Sequence, residues 1–368
     1  MTAPTTETVV VPPSRISTGR LPKGSPWAIL AGAMVVSFAI FAVMNAGSPL
    51  ADLNVAAALF IGMVLYIVFV YVLSLIAESR RHATDRLMTA LISTAFVIAC
   101  LPLVSVLWTV ISNGLARMDP TFFSWSMRNV IGEGGGAVHA IWGTLIVTGL
   151  AAIISVPIGL MTSIYLVEYG NGNRLSKGIT FFVDVMTGIP SIVAGLFIYS
   201  VFTIFFGPGI RMGIMGALAL SVLMIPVVVR GSEEMLRIVP NELREASYAL
   251  GVPKWLTIIK VVLPTSIAGI TTSIMLAIAR VIGETAPLLL TVGVTANLQM
   301  NAFQSDNGQM MTLPVFVYNE FMYPSASSPN ASLERAWAAA LTLLIIVMLL
   351  NLIGRGISKF FAPKTSGR

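Results

Sequence analysis

Two ionisable residues lie in an otherwise apolar stretch of the sequence. Arg280 and Glu284 are four positions apart within Ser266–Val292, a run long enough to cross a bilayer. On a continuous helix this spacing predicts that both side chains project from one face. A lone charge at the bilayer centre costs at least ~2.5–3.5 kcal/mol on insertion scales, so such residues commonly mark a transport pathway. The alternative is that the two charges only neutralise each other, buried against neighbouring helices.

The composition supports a membrane location for this stretch. The chain has 368 residues, of which 56% are hydrophobic and 10% charged, whereas a typical soluble domain has roughly 25% charged residues. The low charge also excludes a disordered chain. A single cysteine, Cys100, excludes an internal disulfide framework, and two histidines leave little material for a zinc site. We therefore predict an all-α polytopic membrane protein.

Eight apolar runs are long enough to cross a bilayer, because about 20 residues of helix span its core. They are Trp27–Met44, Leu53–Ala77, Leu87–Ile111, Val138–Val167, Ile179–Phe206, Met212–Val229, Ser266–Val292 and Ala336–Ile353. The runs are continuous rather than alternating, which excludes the strands of a membrane barrel.

The Lys and Arg residues predict the orientation. With the N-terminus in the cytoplasm, 17 of the 22 lie in cytoplasmic segments, four lie outside, and Arg280 lies within a span. This asymmetry follows the positive-inside rule, so the net charge of +6 requires no nucleic-acid partner. We expect both termini in the cytoplasm, with a disordered tail over residues 1–26 and a second tail over 356–368. The length of Trp27–Met44 favours an uncleaved anchor over a signal peptide.

The longest cytoplasmic segment, residues 231–265, predicts two short helices joined at a glycine. Asn241–Leu250 has a helix-forming composition with an acidic residue in its first turn, where the helix dipole favours negative charge. Gly251 can end this helix in a left-handed conformation. A second helix is predicted over Pro253–Lys260, and Pro264 then marks the boundary of the next span. We call residues 241–260 the elbow. Periodicity alone is equally compatible with an ordinary amphipathic connector.

The spacing in this segment resembles the signature cytoplasmic loop of ABC-importer permeases. That pattern is EAA, three residues, G, nine residues, I, one residue, LP, and the chain has Glu245-Ala246-Ser247, Gly251, Val261 and Leu263-Pro264 at these places. Serine replaces the second alanine and valine replaces isoleucine. The resemblance implies that the elbow docks on a separate cytoplasmic ATPase. The implied coupling residues are Glu245, Ala246, Ser247, Ala249, Leu250, Gly251 and Val252.

Other segments resemble the PstA family, the permeases of phosphate-specific ABC importers. The matching segments are Arg280-Val-Ile-Gly-Glu284-Thr-Ala-Pro287-Leu, Gly188-Ile-Pro190-Ser191-Ile-Val-Ala-Gly195 and Ile225-Pro226 followed by Arg230-Gly-Ser-Glu-Glu234. The resemblance covers residues 86–355 and implies a MetI-like ABC-importer permease core of six transmembrane helices. Residues 27–85, with two extra N-terminal transmembrane helices, lie outside the family pattern.

Carried over residue by residue, the resemblance implies that Arg280, Glu284 and Arg230 serve the phosphate pathway. Guanidinium groups form planar, charge-assisted hydrogen bonds with phosphate oxygens. Glu284 either keeps Arg280 from binding phosphate too tightly or forms a gate with it. Arg230 also has an interpretation as a topology anchor, because it lies at the inner end of a span.

Glycine and proline interrupt the fifth predicted span at Gly188, Pro190 and Gly195. Breaks at membrane depth are tolerated where the backbone lines a cavity. Small residues also allow neighbouring helices to pack closely. The sequence leaves both interpretations open.

The resemblance implies a transport subunit of a bacterial inner membrane rather than an enzyme. Its partners would be a PstC-like second permease, a PstB-like ATPase dimer, a PstS-like phosphate-binding protein and membrane lipid. ATP would be used by the ATPase, and no cofactor is expected on this chain. The sequence contains no G-x-x-x-x-G-K-[ST] motif, which agrees with this division of labour.

Two other classes of function remain as alternatives. An ion-coupled secondary carrier of an oxyanion would predict inverted repeats, and none is evident in the sequence. An intramembrane enzyme would need a nucleophile–base pair or a metal cluster. The two histidines, His82 and His139, lie on opposite predicted sides of the membrane and do not supply one.

Overall fold

The computed structural model describes residues 21–22, 24–44, 54–170, 172–306 and 308–361. Within these ranges all regular secondary structure is helical, as predicted. The helices are α1 Ser25–Met44, α2 Val55–Ala77, α3 Arg80–Gly114, α4 Pro120–Ser124, α5 Val138–Ile164, α6 Arg174–Thr187, α7 Ser191–Phe206, α8 Gly213–Ile238, α9 Asn241–Ala249, α10 Lys254–Thr257, α11 Leu263–Val281, α12 Ala286–Thr291, α13 Leu313–Met322 and α14 Pro329–Phe361. Two π-helical turns, Tyr165–Tyr169 and Ile258–Val262, follow α5 and α10.

Seven of the described helices are long and apolar enough to cross a membrane, and the bent pair α6–α7 makes up to eight. This agrees with the eight predicted runs. Residues 1–20 and 23 of the predicted N-terminal tail lie outside the described part of the chain. Helix α14 continues to Phe361, so the beginning of the predicted C-terminal tail is helical, and residues 362–368 lie outside the description.

The chain forms two compact units, residues 1–107 and 108–368. The division falls within α3, whereas the sequence suggested a boundary after residue 85. In the first unit α1 packs against α2, and Glu78 follows α2. Its carboxylate accepts hydrogen bonds from the Ser74 hydroxyl, the Leu21 amide and the Arg86 guanidinium. These bonds hold the pKa of Glu78 below its ordinary value.

Helix α8 is the centre of the second unit. In its most apolar stretch 61% of the residues are buried, compared with 22–33% in the corresponding stretches of the other long helices of that unit. Glycines bring two neighbours close to it: a Cβ at Gly159 would lie 2.6 Å from Cγ1 of Val228, and one at Gly231 would lie 2.6 Å from Cβ of Ser273. Small residues therefore fix α5 and α11 against α8.

The fifth predicted span, Ile179–Phe206, is not one helix. It divides at Gly188–Pro190 into α6 and α7, whose axes are bent by 107°. Pro190 has no N–H to donate and disfavours helical geometry in Ile189, the residue before it. The predicted interruption at Gly188 and Pro190 is therefore confirmed, and the fifth span is a bent pair of helices.

The seventh predicted span, Ser266–Val292, is also broken. Helix α11 ends at Val281, and a short helix, α12, begins at Ala286. Pro287 lies in the first turn of α12, where its missing N–H removes no helical hydrogen bond. The two interrupted spans provide the walls of the site described below.

The elbow forms as predicted in its first half. Helix α9 is followed by Gly251 with φ of +75°, a left-handed conformation that favours glycine. The predicted boundary at Pro264 coincides with the first turn of α11, but the helix of membrane-spanning length begins earlier. The chain continues from Lys254 through the π-helical turn and α11 to Val281 as one apolar helix, so Pro264 lies inside it. The π-helical turn shifts the hydrogen-bond ladder just before the proline.

Candidate functional site

The two helix breaks meet at one cavity of about 190 Å³, which we call the break cavity. It is lined by Met186, Thr187, Ile189 and Ser191 at the first break, by Leu223, Pro226 and Val227 on α8, and by Arg280 and Glu284 at the second break. The structure thus places two of the three predicted pathway residues in one cavity. Irregular backbone at membrane depth is tolerated where it lines such a space, which supports the cavity-lining interpretation of the first break.

Gly195 has a different part in this arrangement. It lies in the second turn of α7 and is buried. A Cβ at this position would lie 2.7 Å from Cα of Pro287, closer than real Cβ contacts come. The glycine therefore lets α7 touch the backbone of the second break, which is the close-packing interpretation.

Arg280 and Glu284 do not share one continuous helix. Arg280 lies in the last turn of α11, whereas Glu284 lies in the break, where its N–H donates to the Val281 carbonyl at 3.1 Å. The predicted common helix face is therefore wrong, and the break cavity brings the two residues together instead. Neither side chain has an ion pair or hydrogen bond with any residue that the structure describes. Mutual neutralisation by a direct ion pair therefore does not explain their position.

Arg230 lies one turn beyond Val227 on α8, outside the lining of the break cavity. Its Nη1 donates to Glu233 Oε2 at 2.9 Å, and its Nη2 donates to Asp184 on α6. Glu233 also accepts a hydrogen bond of 2.8 Å from Arg237. We call Asp184, Arg230, Glu233 and Arg237 the charge network. The topology-anchor interpretation of Arg230 is incomplete, because this residue also joins two helices.

A second cavity, of about 520 Å³, lies beside the charge network. It is lined by Leu166, Val167, Gly172, Ser176, Lys177, Thr180, Phe181, Asp184 and Arg237. Val167 and Arg237 also line the space next to α9, together with Asn241, Arg244, Tyr248 and Lys254. We therefore call it the elbow-side cavity.

The elbow is fixed to the ends of α5 and α8 by Arg244. Its Nε and Nη2 donate to Glu168 Oε1 at 3.0 and 2.9 Å. Nη2 also donates to the Leu236 carbonyl, and Nη1 donates to the Val239 carbonyl and to Asn241 Oδ1. The two side chains are only 12% and 4% exposed. Sequence reasoning missed this pair because its members are 76 residues apart and no local spacing relates them.

Five of the seven predicted coupling residues are exposed. Glu245, Ala246, Ala249, Leu250 and Gly251 are exposed, and Val252 is half-buried. Ser247 is buried, and its hydroxyl forms a 2.8 Å hydrogen bond with that of Thr257 on α10. The serine that departs from the EAA pattern therefore finds its partner inside the elbow.

Comparisons with known proteins give a family model, curated relatives and solved structures that the chain resembles. Residues 155–367 match the model of the binding-protein-dependent transport system inner membrane component. Phosphate transport system permease protein PstA 1 of Mycobacterium tuberculosis (strain ATCC 25618 / H37Rv) is 48% identical over 276 residues, 74% of this chain and 87% of the relative. PstA of Yersinia pestis is 36% identical over 292 residues, 78% of this chain and 93% of the relative. A solved structure of the MetNI methionine ABC transporter, in inward facing conformations, has a TM-score of 0.49 at 19% identity and covers 61% of this chain and 96% of its own.

Proposed function

We propose, from the premise that this chain belongs to the PstA family of binding-protein-dependent transport permeases, that it forms the pathway for inorganic phosphate in an ATP-driven importer. It is a multi-pass inner membrane transport subunit and not an enzyme. The observation that carries the proposal is the break cavity, where two interrupted spans meet. Arg280, which has no ion pair or hydrogen bond with the described residues, lines this cavity together with the carboxylate of Glu284.

The break cavity has the chemistry to hold an oxyanion briefly. The donors of Arg280 are free of protein partners among the described residues and are suited to phosphate oxygens. Helix α7 begins at Ser191 in the cavity wall without a side-chain cap, so its positive end adds to the attraction. Glu284 repels the same anion and keeps binding weak enough for release.

Coupling to ATP would pass through the elbow, which we assign to the cytoplasmic side from the distribution of Lys and Arg. A PstB-like ATPase dimer would dock on the exposed patch of α9 and Gly251. Its movement would reach α5 and α8 through Arg244 and Glu168, because these two side chains join the elbow to both helices. A PstC-like second permease and a PstS-like binding protein would complete the importer, and ATP would bind to the ATPase and not to this chain.

Uptake of labelled phosphate into vesicles tests the function. The vesicles would contain this chain with its partner subunits, with ATP enclosed and the binding protein outside. We expect phosphate to accumulate only with hydrolysable ATP. Accumulation that needs an ion gradient and no ATP would support a secondary carrier and contradict the proposal.

Gly251 provides a test of coupling at the elbow. We expect Gly251→Asp to lower phosphate uptake about tenfold, since a side chain in the left-handed region costs roughly 1–2 kcal/mol and the new charge enters the docking patch. Uptake and ATP hydrolysis would be measured in the same vesicles, together with assembly of the complex. The matched control is Gly209→Asp, because Gly209 is exposed with φ of +87° and lies at the other end of α8. Normal uptake and coupling in the Gly251 variant would count against the role of the elbow.

A further inference from the structure

We propose that Asp184 is a further residue of the transport path. Its carboxylate binds Arg230 when no anion is present and closes the way between the break cavity and the elbow-side cavity. An arriving phosphate ion takes the place of Asp184 at Arg230. The identity of the anion rests on the proposed function, whereas the position of the closure rests on the charge network alone.

Both helices that supply the ion pair place it between the two cavities. Along α6, Asp184 lines the elbow-side cavity, and Thr187, one turn later, lines the break cavity. Along α8 the order is reversed: Val227 lines the break cavity, Arg230 follows one turn later, and Arg237 lines the elbow-side cavity. Both helices thus place the ion pair between Asp184 and Arg230 where the lining of one cavity gives way to the lining of the other, and we take the pair as the boundary between them.

The two carboxylates at Arg230 differ in how easily they can leave. The Glu233 side chain is 8% exposed and also pairs with Arg237, whereas the Asp184 side chain is 57% exposed and, among the described residues, pairs only with Arg230. An ion pair with an exposed member is weak because water competes for both charges. Asp184 is therefore the partner that an anion displaces, and Glu233 keeps the guanidinium in place.

The same arrangement favours release of the anion. Phosphate at Arg230 would lie near two carboxylates, whose repulsion shortens its stay. Lys177, which lines the elbow-side cavity and has no ion pair with the described residues, offers the next positive charge. The path thus presents Arg280, Arg230 and Lys177 in succession, and Asp184 controls the step between the first two.

Labelling of a cysteine in the break cavity tests the closure without relying on phosphate. The complex would carry Cys100→Ala, which removes the chain's own cysteine, and Ser191→Cys, which places a thiol in the break cavity. It would be assembled in inside-out vesicles, so that the elbow side faces the reagent. We expect a membrane-impermeant thiol reagent on the elbow side to label this thiol about tenfold faster with Asp184→Asn, since the amide oxygen that replaces the carboxylate accepts only a weaker hydrogen bond, without the opposite charge. Asp184→Glu keeps the carboxylate and should retain the slow rate. Equal labelling rates with Asp184 and Asp184→Asn would overturn the proposal.

Passive efflux of phosphate from loaded vesicles without ATP gives a second measurement. We expect about tenfold faster efflux with Asp184→Asn and no change with Glu234→Gln, which removes an exposed carboxylate of α8 outside the charge network. If the wild-type complex takes up phosphate but Asp184→Asn changes neither the labelling rate nor the efflux rate, the closure is refuted and the transport function stands. If labelling responds but no variant moves phosphate even with ATP, the transported substrate is refuted and the closure stands.

Discussion

We expect that replacing Arg280 with glutamine abolishes phosphate uptake while the complex still assembles. Glutamine retains an amide donor but loses the charge and the planar fork that bonds two oxygens at once. Each lost charge-assisted hydrogen bond is worth roughly 1.5–3 kcal/mol, so uptake should fall at least about 100-fold. Assembly is spared, because the Arg280 side chain has no hydrogen bond or ion pair with the described residues to lose.

The measurement is the initial rate of ATP-dependent phosphate uptake per assembled complex. Arg355→Gln is the matched control, since Arg355 is an exposed arginine of α14 outside the lining of the break cavity. Undiminished uptake with Arg280→Gln would remove Arg280 from the pathway. Loss of the complex itself would show a structural role instead.

Replacing Arg244 with methionine separates the elbow from the helices it moves. The carboxylate of Glu168 would remain buried without its partner, and removing one member of a buried ion pair costs roughly 3–5 kcal/mol. The carbonyls of Leu236 and Val239 lose donors as well. We expect a lower unfolding temperature of the complex and less than about a tenth of the phosphate transported per ATP hydrolysed.

A double variant distinguishes the effect of an unpaired buried charge on Glu168 from the effect of losing the hydrogen bonds of Arg244. Glu168→Gln combined with Arg244→Met removes both charges, and replacing a whole buried ion pair is often nearly neutral for stability. We expect the unfolding temperature to recover while coupling stays low, because the bonds to the end of α8 are still missing. Wild-type coupling in the single Arg244 variant would contradict the linkage.

The membrane class and the elements of the site could be predicted from the sequence because each depends on the free energy of a residue in its own local environment. Charge is expensive inside a bilayer, so Arg280 and Glu284 are conspicuous in an apolar run. A left-handed turn favours glycine, so Gly251 was placed correctly from its position after a helix-forming segment. In these cases the physical reason for the structural feature lies in a few residues that are neighbours in the sequence.

The geometry of the site could not be predicted, because it depends on contacts between distant segments. Pro287 indicates that a helix over Ser266–Val292 can loosen locally, but it does not determine that α11 ends at Val281. The contact between Gly195 and Pro287 involves a different helix, α7. Asp184 and Arg230 are 46 residues apart and pair only because α6 packs against α8. A sequence pattern with a period of one helical turn carries no information on such pairs.

Gly195 has a consequence for the interpretation of natural variation in this chain. It has no polar side chain, yet a single methyl group there would press on Pro287 and move the break that carries Glu284. Alanine is usually the mildest replacement for glycine within a helix. At this position we expect Gly195→Ala to impair function. Sequence variants that lose activity would therefore point to a residue that no search for charged or polar groups would select.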